Sequence, residues 1–155
     1  MMARGHRSKL RNSCRMNVGP SSRQQRTFRA SVDSARAARV FVAEQLHQDG
    51  APAAALADLQ LVVSELVANA VQHGASDVVV QVDSVDDAWL QLTVVGGTGL
   101  PAALADPAQW QIADPTDAAG RGLGIVRALV DEVVVDTIDE QLVVRCRRHR
   151  DPRSV

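Results

Sequence analysis

The sequence predicts a two-layer α/β sandwich, with a mixed, mostly antiparallel sheet and its helices gathered on one face. Three observations carry this. Asp77–Asp83 and Ala88–Val95 alternate apolar and polar residues on either side of the short connector Ser84-Val85-Asp86-Asp87, as a hairpin does. A second such pair, Glu132–Thr137 and Gln141–Arg147, lies near the end of the chain. Apolar residues at helical spacing fill the segments ahead of and between these pairs. Paired strands interleaved with a few amphipathic helices pack best with the helices on one side of the sheet.

The elements follow in order. Met1–Gln25 is polar, rich in Ser, Arg and Gly, and has no periodicity, so it reads as a disordered arm. Met16 is an alternative start within it. The domain proper is expected over residues 26–150, with 151–155 as a tail. Arg26–Ser31 alternates and predicts an edge strand. Val32–Gln48 has helical spacing through Ala35, Ala38, Val40, Phe41 and Leu46, with Asp33 or Ser34 as the N-cap. Asp49-Gly50-Ala51-Pro52 breaks the chain. Ala54–His73 is a long helix that Gly74 stops. Gly96–Gly120 is a long stretch with three prolines and little periodicity. Loops of that length are uncommon in compact domains and are usually functional. Gly122–Val130 is the third helix.

Composition points to one domain. A chain of 155 residues, 46% hydrophobic, can bury a single sizeable core and is short for two. Cys14 and Cys146 form no metal-ligand spacing and read as free thiols of a cytoplasmic protein. No uninterrupted apolar run approaches the roughly 18 residues of a membrane span. Eight basic residues and no acid fall in residues 1–29. The remaining nine face all 18 acids, a formal −9. The basic arm is expected to be solvated, and direct nucleic-acid binding is not expected.

Two segments carry chemistry. In Ser64-Glu65-Leu66-Val67-Ala68-Asn69-Ala70-Val71-Gln72-His73-Gly74, Glu65 and Asn69 stand at i and i+4, side by side on one helical face. Leu59, Val63, Leu66 and Ala70 make the apolar stripe, and the pair sits at its edge, roughly 100° from its centre. Asn offers a hard neutral oxygen suited to magnesium, and Glu offers a base. Downstream, Gly120-Arg121-Gly122-Leu123-Gly124 opens the third helix. Glycines at a helix start let backbone N–H groups approach a phosphate.

Together, in this order, the two segments resemble the N box and second glycine box of the GHKL ATP-binding superfamily. The match is closest to the anti-sigma-factor serine/threonine kinases, and Val130-Asp131-Glu132-Val133-Val134-Val135 is similar to the strand entry that follows in them. The resemblance runs from about Arg26 to Arg148. It implies the Bergerat, histidine-kinase-like ATPase fold, and ATP and Mg2+ as cofactors. By resemblance Asn69 coordinates Mg2+, and Glu65 is the catalytic base toward a serine hydroxyl, or orients it. The backbone of Gly120, Arg121, Gly122, Leu123 and Gly124 cradles the phosphates, Arg121 being either a γ-phosphate ligand or an exposed lid residue. Gly97 and Gly99 keep the turn of the first glycine box, and Gly96–Gly120 is the nucleotide lid. The implied partners are a sigma factor and an anti-anti-sigma (STAS-type) protein, with a homodimer possible.

Two departures stand out. The first glycine box of the family carries an aspartate that accepts a hydrogen bond from the adenine amino group. In Leu92-Thr93-Val94-Val95-Gly96-Gly97-Thr98-Gly99 that position falls on Val95 or Gly96, depending on where a one-residue gap is placed. The family's Gly-Thr between the last strands is Asp139-Glu140-Gln141-Leu142 here. The phosphate half of the expected site is complete and the adenine half eroded.

Overall fold

A computed structural model describes residues 23–98, 105–110 and 121–151. Within them the order is β1 (Arg23–Arg29), α1 (Ser34–Gln48), α2 (Ala53–Gln72), β2 (Asp77–Ser84), β3 (Trp89–Val95), α3 (Arg121–Leu129), β4 (Glu132–Ile138) and β5 (Gln141–His149), with a 3₁₀ turn at Pro107–Gln109. The strands form one sheet in the order β1-β2-β3-β5-β4. Every pairing among them is antiparallel. The two-layer α/β sandwich is as expected, with no parallel pair among the described strands.

Valine-rich alternation sorts the two faces of the sheet. Val78, Val80 and Val82 of β2, Leu90, Leu92 and Val94 of β3, and Leu142, Val144 and Cys146 of β5 join one core with the helices. Each fully buried Val or Leu contributes roughly 1.5–3 kcal/mol. The opposite face carries polar pairs. Arg147 donates to Gln91 across the β3–β5 ladder at 2.9 Å and approaches Glu132 of β4 at 3.9 Å.

The apolar stripe of α2 is buried as its spacing predicts, Leu59 and Val63 fully and Leu66 and Ala70 almost so. By length and composition alone α2 could cross a membrane. Its apolar side packs on the sheet instead. Near its start Asp58 accepts from Arg148 of β5 at 2.9 Å, and Arg148 is only 3% exposed. At its end Gly74 takes φ +83°. The Ala75 N–H donates to the Ala70 carbonyl at 3.0 Å and the Gly74 N–H to Val71 at 3.3 Å, a Schellman closure.

Several element boundaries differ from the sequence reading by one to three residues, and at two of them the structure shows why. β1 begins at Arg23 rather than Arg26, because pairing with β2 and the Arg23–Asp83 ion pair at 3.1 Å carry a polar stretch that alternation cannot mark. α1 begins at Ser34, so Val32 lies in the preceding turn and is 95% exposed. Asp33 precedes the helix without a side-chain cap bond. The Ser34 hydroxyl instead accepts from the Ser31 N–H at 2.8 Å and donates to the Arg29 carbonyl at 2.7 Å, tying strand to helix. Residues 1–22, most of the expected arm, lie outside the described residues, as do 152–155 of the tail.

Candidate functional site

α2 crosses the sheet where β3 ends and β5 begins, and α3 closes the gap beside it. The resulting pocket takes Leu66, Asn69, Ala70 and His73 from α2 and its C-cap. Val94, Gly96 and Gly97 come from the end of β3, Leu123 from α3, and Leu142 and Val144 from β5. Its walls are apolar, and Asn69 and His73 are the polar side chains among these. The loop must run close to the helix. Gly97 has φ +89°, and a Cβ there would stand 3.5 Å from the Ala70 carbonyl oxygen. The Thr98 hydroxyl donates to the His73 carbonyl at 3.3 Å.

The strand ends at the rim pair with each other. The Gly96 N–H donates to the Leu142 carbonyl at 3.0 Å, and the Leu142 N–H to the Gly97 carbonyl at 3.1 Å. Of the two positions open for the missing aspartate, it is Gly96 that lines the pocket. Leu90, Leu92 and Val94 face the helices, so Val95 falls on the opposite side of the sheet, in a row with Val79 and Val143. Gly96 has no room for a side chain, because a Cβ there would lie 2.9 Å from the Asp77 carbonyl oxygen. The turn that replaces the family's Gly-Thr holds Asp139 and Glu140 at positive φ, 50° and 64°.

Asn69, Gly97 and Leu123 thus meet in one pocket. Glu65 stands one turn earlier on α2, half-buried, with its carboxylate against Gly122 in the first turn of α3. Gly124 is buried within α3. Arg121 is the first residue of α3, but its side chain, together with Gly99, Gly120 and most of the expected lid, lies outside the described residues. Two features were not legible beforehand. His73, read as a helix-end residue, lines the pocket. Trp110, in the expected lid, is 2% exposed within the core, and Arg127 of α3 donates to the Ala108 carbonyl beside it at 2.6 Å. Cys146 follows the pocket wall on β5, and burial pushes its thiol up to about 12, so it supplies no nucleophile near neutral pH.

Residues 28–148 match the model of the histidine kinase-like ATPase domain. The chain belongs to this family. The histidine kinase-like ATPase fold recurs in a solved structure of the RsbU and RsbW domains of Rv1364c from Mycobacterium tuberculosis, at 25% identity and a TM-score of 0.61, covering 86% of this chain. This chain spans 34% of that one. A structure of the SiaB–SiaC complex from Pseudomonas aeruginosa matches at 12% identity and a TM-score of 0.55, over 81% of this chain and 89% of the other. The superfamily recognised from the two motifs is the family found. A histidine kinase-like ATPase domain implies ATP binding, and the pocket between α2, the β3 end and α3 brings together Asn69, Gly97 and Leu123 of the motif residues.

Proposed function

We propose that this chain is an ATP-binding regulator of the anti-sigma-factor type, a serine/threonine protein kinase that phosphorylates an anti-anti-sigma (STAS-type) protein and binds a sigma factor. The observation that carries the reading is the joint placement of Asn69 in the pocket and Glu65 one turn away, against the start of α3. Glu65 takes up the proton of the attacking serine hydroxyl, or orients that hydroxyl toward the γ-phosphate. The first turn of α3 presents backbone N–H groups to phosphate oxygens. The donor set suits Mg2+, which prefers one or two protein oxygens plus substrate phosphates to an all-protein cage. Asn69 supplies such an oxygen at the pocket wall. When bound, Mg2+ neutralises phosphate charge.

A cytoplasmic location and a homodimer belong to the same reading. A second reading, a non-catalytic kinase-like module that holds its partner with weakened nucleotide binding, is favoured by Gly96, whose position faces the pocket without a carboxylate. Partner co-purification with and without ATP, followed by transfer of labelled γ-phosphate, separates the two. The kinase reading expects ATP-dependent labelling of a bound partner, abolished by Glu65→Gln with nucleotide binding retained. Stable partner capture with no labelling contradicts it.

A further inference from the structure

The sequence assigns Gly122 to the phosphate cradle, but its surroundings give it another task. A Cβ built at Gly122 would overlap the Glu65 Oε2 atom and stand 3.4 Å from Cδ and 3.5 Å from Cβ of that side chain. Gly122 lies in regular helix, so what the position requires is the missing side chain rather than unusual backbone freedom. The next residue, Leu123, is 3% exposed and shares the pocket with Asn69. One turn of α3 therefore meets both functional positions of α2, Gly122 at Glu65 and Leu123 beside Asn69.

We propose that Gly122 is the positioning residue for Glu65, its bare backbone forming the seat that holds the carboxylate beside the phosphate region. The consequence for turnover rests on the kinase reading, whereas the contact itself does not. The atom that a new side chain would strike is the far end of a flexible side chain rather than backbone. A methyl at position 122 is accommodated by swinging the Glu65 carboxylate away, with the fold intact. Alanine is the better helix former, so a purely structural role for this position predicts that Gly122→Ala leaves turnover unchanged and thermal stability equal or higher.

The test uses the full chain with Mg2+, ATP and the partner protein captured in the co-purification, and reads ADP release. Gly122→Ala is expected to lower kcat about 10- to 100-fold, the penalty for misplacing a reacting group by about 1 Å. KM for ATP should stay within about threefold and the Tm should not fall. Glu65→Asp, one methylene shorter, should restore part of the lost kcat in the Gly122→Ala background while lowering it in the parent. Parental turnover in Gly122→Ala, or a loss that Glu65→Asp does not relieve, overturns the proposal. A second measurement needs no turnover. In 15N-labelled protein, Glu65→Gln should shift the Gly122 and Leu123 amide resonances and leave those of β1 in place. Unmoved resonances at Gly122 overturn the contact. A parent that binds ATP and its partner yet releases no ADP counts against the kinase reading alone, and the amide shifts then decide the contact.

Discussion

Replacing Gly96 by aspartate is the obvious repair for the eroded half of the pocket, and the structure predicts that it fails. The position faces the pocket, but its Cβ would stand 2.9 Å from the Asp77 carbonyl, a backbone atom that cannot swing aside. Relieving such a contact requires the β2 and β3 ends to part, and on its other side the β3 end is tied to β5 by the Gly96 N–H to Leu142 carbonyl bond at 3.0 Å. Backbone strain of this kind costs about 1–3 kcal/mol. At about 2–4 °C per kcal/mol for a domain of this size, the Tm should fall by about 2–12 °C. A seated carboxylate would add a charge-assisted hydrogen bond worth about 1.5–3 kcal/mol, or one to two decades of ATP affinity. Because the backbone does not admit it, Gly96→Asp is expected to change ATP affinity by less than about threefold. Val95→Asp should also leave ATP binding unchanged, because its side chain lies on the other face. Thermal melts and calorimetric titration with Mg–ATP read both quantities. A Gly96→Asp variant with parental Tm and at least tenfold tighter ATP binding would refute this reasoning.

Further outcomes follow from other residues. Asn69→Ala should weaken Mg2+-dependent nucleotide binding by roughly one to two decades, the worth of a contact to a charged group, and calorimetry with and without Mg2+ checks it. Asp58→Ala leaves the buried Arg148 without its carboxylate. Broken buried pairs cost about 3–5 kcal/mol, but Arg148 also donates to the His149 and Asp151 carbonyls, and Asp58 is 29% exposed. About 2–3 kcal/mol is expected, seen as a Tm lowered by roughly 4–12 °C. The buried Cys146 thiol stays protonated up to about 12 in the folded chain and ionises from its ordinary value of 9.0 when unfolded. Its stabilising contribution is therefore complete below pH 9 and falls as pH rises above it. Urea melts in a Cys14→Ser background should show that decline, and adding Cys146→Ala should remove it.

What was legible in the sequence is what is local. Glu65 and Asn69 stand out as a candidate pair by one-turn spacing at the edge of an apolar stripe, and the hairpins declare themselves by alternation. Gly74 was legible for the same reason, since helix closure is set by a few consecutive residues. What pairing and packing decide was not legible. Arg23–Gln25 became strand only because β2 lies beside them, and nothing in a polar run announces that. That Gly96 rather than Val95 faces the pocket depends on the phase of β3 against the helices, which a sequence gap leaves open. The meeting of Gly122 with Glu65 joins residues far apart in the chain, so each motif could be read but not their contact.

Calorimetric titration of the full chain with Mg–ATP, Mg–GTP and Mg–tripolyphosphate tests the central claim most directly. A site with a working phosphate half and an apolar base half predicts measurable binding of both nucleotides, with ATP and GTP within about tenfold and tripolyphosphate close behind. Binding of no ligand at millimolar concentration would contradict a nucleotide site here, and ATP preferred over GTP by a hundredfold or more would contradict the loss of its adenine half.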